Sequence, residues 1–158
     1  MIRAAAADDA QALAELHRVT VTTAYADIFP PGAEPPSVED LTAEYRALFG
    51  RGDRVWMSCD QDSPIGSIAV VRDDAVPARR RIERFHVHPD HQGEGIGRRL
   101  YEHALGELDA GPLNLWVLEA NGRARSIYEA WGWTLVPGPT LPNEPPEILD
   151  VLYELRRD

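Results

Sequence analysis

The sequence predicts an α/β (α+β) chain with a single layer of mixed sheet and helices packed on its faces. Three observations carry that expectation. Apolar residues recur at helical spacing in four segments and follow strand patterns in six others, in the order ααββ, βαβα, ββ. Glycine and proline punctuate the boundaries between them. The length of 158 residues suits one domain, taken as 1–158, large enough to bury about two-thirds of its unfolded surface.

Asp8-Asp9 signals a helix start, and Ala10, Leu13, Leu16 and His17 extend the helix to about residue 24. Pro30 to Pro36 is a loop. Ser37 to Asp40 opens a second helix with the stripe Leu41, Tyr45, Leu48 and Phe49. Arg54–Cys59 and Ile65–Val71 read as strands joined by a tight turn at Asp60 to Pro64. Arg81–His88 alternates as a strand and is stopped by Pro89. A glycine-rich turn, Gly93 to Gly97, then enters a helix through Leu100, Ala104, Leu105 and Leu108, ended by Gly111-Pro112. Leu113–Leu118 reads as an apolar strand, as one buried on both faces would be. Asn121 caps a helix through Ala124, Ile127, Tyr128 and Trp131, which Gly132 ends. Trp133–Val136 and Ile148–Leu155 are the last strands, separated by a proline-rich loop over 137–146.

Composition excludes several classes. Hydrophobic residues make up 44% and charged residues 27%, ordinary for a globular chain and unlike a disordered one. No apolar run approaches the roughly 20 residues of a membrane helix, and the first residues lack the apolar core of a secretory signal, so no membrane association is expected. Cys59 is the only cysteine and has no internal disulfide partner, which fits a reducing, cytoplasmic setting. The net charge of −10 argues against nonspecific nucleic-acid binding. Residues 72–125 are neutral, whereas 1–71 carry −6 and 126–158 carry −4, a distribution suited to an anion at the centre and a cationic partner at the flanks. All 16 cations are arginine, which we read as compositional bias.

The informative stretch is a strand, a glycine turn and a helix: Phe85-His86-Val87-His88-Pro89, then Gln92-Gly93-Glu94-Gly95-Ile96-Gly97-Arg98-Arg99. Side-chain-free positions let backbone N–H groups converge on an anion, and the helix behind adds the positive end of its dipole. It is not a Walker loop, since no Gly-Lys-Ser/Thr follows. The spacing also departs from the dinucleotide fingerprint.

Gln92-x-x-Gly95-x-Gly97 after a strand ending Val87-x-Pro89 resembles the pyrophosphate loop of the GNAT superfamily of acyl-CoA-dependent N-acetyltransferases. Glu119-x-Asn121-x-x-Ala124-x-x-x-Tyr128-x-x-x-Gly132-Trp133 resembles the following strand–helix unit of that family. The two motifs lie 24 residues apart, from Gly97 to Asn121, and the element order agrees over nearly the whole chain. Trp133 is a departure, standing where the family usually has Phe.

The resemblance implies a mostly antiparallel central sheet with helices on both faces, acetyl-CoA as co-substrate and a primary amine of a small molecule or peptide as acceptor. A homodimer is a family-level expectation only. The pantetheine arm would pair with the strand backbone from Phe85 through His86 to Val87. The pyrophosphate would sit on amides of Gln92, Gly93, Glu94, Gly95, Ile96, Gly97 and Arg98, with Arg98 or Arg99 reaching phosphate. Glu83 stands as the general base, against a salt bridge to Arg81 or Arg84. Alternation along the strand puts it on the side of Phe85 and Val87. Tyr128 fills the general-acid position, against a half-buried core aromatic. Asn121 either bonds pantetheine or only caps its helix. Tyr25, Asp27 and Phe29, leading into the first proline-rich loop, are candidate acceptor contacts.

Other constellations weigh less. His86, His88, Asp90 and His91 cluster, but Pro89 turns the chain between them, and no metal is expected. His17 and His103 read as isolated helix-surface residues, and Arg79-Arg80-Arg81 as a solvated run. Two rivals remain: a non-catalytic acyl-CoA binding or sensing module on the same fold, and a protein N-terminal acetyltransferase.

Overall fold

The computed structural model describes residues 1–76 and 78–157. Seven strands and four α-helices follow one another as β1 (Ile2–Ala4), α1 (Ala10–Ala24), α2 (Val38–Gly50), β2 (Arg54–Asp60), β3 (Ser63–Arg72), β4 (Arg80–Val87), α3 (Ile96–Gly106), β5 (Leu113–Leu118), α4 (Gly122–Ala130), β6 (Thr134–Pro142) and β7 (Leu149–Leu155). The strand order is β1-β2-β3-β4-β5-β7-β6. β1–β2, β2–β3, β5–β7 and β6–β7 are antiparallel, whereas the start of β4 runs parallel to β5 through Arg80↔Leu113 and Arg81↔Asn114. This is the mixed, mostly antiparallel sheet that the residues and the resemblance led us to expect.

The chain forms two compact units, Met1–Val71 with Glu83–Asp109, and Arg72–Ile82 with Ala110–Asp158. In the first unit the apolar stripes of α1 and α2 meet alternate residues of β2 and β3. Leu13, Ala14, Leu41, Tyr45 and Leu48 are buried with Val55, Met57, Ala69 and Val71. In the second unit Asp73 is the buried polar centre. It accepts hydrogen bonds from Arg79 Nε at 2.6 Å and from the N–H groups of Ala75 and Val76 at 2.9 and 3.3 Å, and Arg81 lies 3.6 Å away. Asn114 Nδ2 on β5 also donates to it, at 3.4 Å. Burial works to raise this carboxyl, but the hydrogen bonds from Arg79 and the backbone outweigh it and hold the group below its ordinary value. Two arginines of the run read as solvated are therefore structural.

Three elements differ from expectation. β1 is only three residues long, too short to show a period, and forms because its backbone pairs with Trp56 to Ser58. α1 starts at Ala10 because Asp9 closes the preceding turn instead, accepting the Ala6 N–H at 2.8 Å and both Arg3 Nη donors at 2.9 and 2.8 Å. β6 continues through Pro142 where a loop was expected. Among the described residues it is an edge strand paired with β7 alone, and its register breaks between Leu135 and Thr140, so prolines 137, 139 and 142 are tolerated.

Candidate functional site

The glycine turn is built from the strand end forward. Pro89–His91 forms a 3-10 turn, in which the His88 ring accepts the Asp90 N–H at 3.1 Å. Gln92 Nε2 reaches back to the Val87 carbonyl at 3.2 Å, tying the turn to β4. Gly93 and Gly95 both sit in the left-handed region, at φ 84° and 79°. Gly95 is the N-cap of α3 and offers no side-chain cap. The first intrahelical bond is the Arg99 N–H to Gly95 carbonyl at 3.1 Å, so helix geometry leaves the amides of Ile96, Gly97 and Arg98 without intrahelical acceptors. A Cβ at Gly97 would lie 3.4 Å from Val87 Cγ2 and 3.7 Å from the Phe85 ring, ordinary contact distances, so this position faces β4. The result is a concentration of backbone donors suited to a phosphate anion. Both arginines of the first turn are engaged locally: Arg98 Nε donates to Glu102 at 2.8 Å, and Arg99 Nη1 to the Glu94 carbonyl at 3.1 Å. His91 Nδ1 and Glu94 Oε2 lie 3.1 Å apart.

β4 is not a regular strand. Arg84 has φ 50°, so the strict alternation expected from Glu83 to Phe85 and Val87 does not hold. The Arg84 guanidinium donates to Glu44 on α2 at 2.9 Å and lies 5.3 Å over the Tyr45 ring. The Tyr45 hydroxyl and His17 Nδ1 are 3.2 Å apart, and the His17 ring packs 4.1 Å from that of His86. His17 is thus not an isolated surface residue. Burial, then the nearby Arg84 charge, pushes its pKa down to about 4. His86 is held well below its ordinary value by burial, with His17 and Arg84 adding to the effect, and burial pushes the Tyr45 phenol up. His103 lies edge-on to Trp56, with centroids 6.1 Å apart. His86 packs against the ring of His17. Among the described residues no three His, Cys, Asp or Glu side chains are placed to hold a metal.

The other motif lies in the second unit. Asn121 Oδ1 accepts the Ala124 N–H at 3.2 Å, so it caps α4. Tyr128 is half-buried, with ring centroids 6.2 Å from Trp131 and 6.0 Å from Trp133. α4 is anchored to β7 through buried Tyr153, which accepts from Arg125 Nε at 3.0 Å and donates to Glu129 at 2.7 Å. Tyr25 ends α1 and its ring lies 5.8 Å from Phe29, while Asp27 is exposed in the turn between them.

Sequence reasoning missed Glu44, Tyr45, His17 and Arg84 as a cluster. The one visible signal was a charged residue, Arg84, in the middle of a strand.

A family model described as the acetyltransferase (GNAT) family matches residues 7–133. A probable N-acetyltransferase of Mycobacterium tuberculosis is 33% identical over 84 residues, covering 53% of this chain and 48% of that protein. N-alpha-acetyltransferase 40 of Saccharomyces cerevisiae is 41% identical over 74 residues, 40% of this chain and 26% of that one. The matches thus span about half and about a quarter of those relatives. An acetyltransferase of Thermus thermophilus superposes with a TM-score of 0.77 at 21% identity, covering 98% of this chain and 96% of the other. A putative acetyltransferase of Salmonella typhimurium, solved with its cofactor acetyl-CoA, gives 0.74 at 20% identity, covering 100% and 94%. At these identities the structures speak for the fold. No helix among the described residues is long and apolar enough to cross a membrane.

Proposed function

This chain belongs to the acetyltransferase (GNAT) family, and on that premise we propose that it transfers an acetyl group from acetyl-CoA to a primary amine by direct attack in a ternary complex. The observation that carries the reading is the uncapped start of α3, where two left-handed glycines precede three amides without intrahelical acceptors. The amides of residues 92–98 are assigned to the pyrophosphate. The backbone of Phe85 and Val87 is assigned to the pantetheine arm, and Gln92 fixes one end of that stretch by holding the Val87 carbonyl. Acetyl-CoA supplies the activated thioester.

The acceptor sets the remaining chemistry. An amine of pKa about 10.4 must lose a proton before it attacks, which costs about 4.6 kcal/mol at pH 7. Glu83 is assigned the proton, directly or through water. Tyr128, by the family pattern, returns a proton to the departing thiolate, and Asn121 holds the start of its helix. Tyr25, Asp27 and Phe29 are assigned to the acceptor. The acidic flanks favour a cationic one.

A peptide amine is the second reading, favoured by the similarity to N-alpha-acetyltransferase 40. A panel of small amines, polyamines and peptides, followed by release of coenzyme A, separates these. Acetylation of small amines alone removes the peptide reading. Calorimetric binding of coenzyme A with no turnover on any amine replaces the enzyme by a sensing module, and no binding removes both. Tyr128→Phe is expected to lower kcat by about 10²-fold or more. An unchanged kcat at every pH would remove Tyr128 as the acid.

A further inference from the structure

Arg84 adopts a backbone conformation that long side chains rarely take, in the middle of a strand and with no glycine beside it. Such an outlier persists only where its surroundings fix it. Here α2 supplies two fixing groups. Glu44 takes Nη1 at 2.9 Å, and the Tyr45 ring lies under the guanidinium at 5.3 Å. Tyr45 is itself fully buried and meets His17, whose ring packs 4.1 Å from His86, two residues beyond the kink. α2 therefore grips the kink at Arg84, and α1 grips the strand just past it. The arrangement is specific in its neighbours too. Glu83 immediately precedes the kink and Phe85 immediately follows it.

We propose that Arg84 is a positioning residue: anchored to Glu44 and Tyr45, it holds the kink in β4 that sets the direction of the Glu83 carboxylate relative to the Phe85 backbone. This rests on the reading of Glu83 as the base and Phe85 as part of the cofactor backbone. It adds a residue that touches neither substrate and ties α2 to the reacting end of β4. A merely structural ion pair would lower stability on removal without altering the chemistry of the molecules that remain folded.

The kink and the anchor are separable by substitution. Glycine accepts φ near 50° without penalty, whereas alanine does not. Arg84→Gly thus keeps the kink and loses the anchor, and Arg84→Ala loses both. The expected result is that Arg84→Ala melts several degrees below Arg84→Gly, the reverse of the usual order in a strand. Its kcat on an accepted amine is expected to fall at least tenfold, with a displaced acid limb in the pH profile of kcat/KM. Arg84→Gly should recover most of that rate. Glu44→Gln, which leaves the backbone residue intact, should lower kcat about threefold to tenfold. Coenzyme A affinity by calorimetry should stay within about threefold in Arg84→Gly, which keeps both the kink beside the Phe85 backbone and the 92–98 amides.

The proposal is overturned if Arg84→Ala keeps the wild-type kcat and pH profile, or if Arg84→Gly is both slower and less stable than Arg84→Ala. Should Arg84→Ala not fold, Glu44→Gln decides, and a wild-type rate and profile there sinks the proposal. If the wild-type protein binds coenzyme A yet acetylates nothing, it is the enzymatic reading that fails. The melting order of the glycine and alanine variants still tests the kink.

Discussion

Of the places in the first unit that use the left-handed backbone conformation, two around β4 reach it by opposite means. At Gly93 and Gly95 the left-handed turn is made by residues with no side chain to obstruct it. At Arg84 it is made by a residue that would ordinarily avoid it, held there by a carboxylate, an aromatic ring and a packed pair of histidines. The first arrangement exposes backbone donors at the surface. The second buries Tyr45 and His86 behind the strand and leaves Glu44 exposed. Backbone-built sites thus advertise themselves through glycine, whereas a strained strand is visible only once distant helices have folded against it.

The largest effect should come from removing the freedom that the turn depends on. Gly95→Val places a β-branched residue at φ 79°, with a Cβ 3.2 Å from Arg99 Nη1. Strain of roughly 2–3 kcal/mol is expected, seen as a lower melting temperature together with coenzyme A affinity weakened on the order of 100-fold. Retention of affinity would show that the left-handed glycine is not what shapes the donor array.

Acid should act on the side chains packed behind the kink. Folded His17 takes up a proton only near pH 4, against 6.5 in the unfolded chain, so on acidification the unfolded chain binds protons first. The associated stability is full above pH 6.5 and is lost progressively towards pH 4. The loss amounts to about 3 kcal/mol at pH 4. Thermal melts between pH 7 and 4 should therefore show a steep decline that His17→Leu flattens. Equal slopes in both proteins would remove His17 from the account.

The smallest expected change sharpens the contrast between two helix starts. Asn121 caps α4 with its side chain, whereas α3 has no such cap. Asn121→Ala should cost about 1 kcal/mol, or about 2–4 °C in melting temperature. If coenzyme A affinity falls as well, Asn121 does more than cap.

Much of the fold was legible because it rests on local patterns. The stripe Leu41, Tyr45 and Leu48 is buried as spaced. The turn after Asp60 is as tight as its residues imply, with Asp60 paired to Ser63. The turn from Gln92 to Arg98 was legible for the same reason, since glycine spacing dictates backbone shape directly. β1 left no trace because three residues cannot show a period. β6 was hidden because proline argues against a strand unless the strand is known to lie at an edge, and the order of strands is not a local property. The cluster around Arg84 joins residues 17, 44, 45, 84 and 86, which only the packing of α1 and α2 brings together.

The proline-studded β6 has a consequence for how these molecules behave in a crowd. It is the terminal strand, and Pro137, Pro139 and Pro142 have no N–H to offer an incoming strand. A second molecule seeking to extend the sheet there would meet three residues that cannot donate, the kind of edge by which natural sheets resist edge-to-edge pairing.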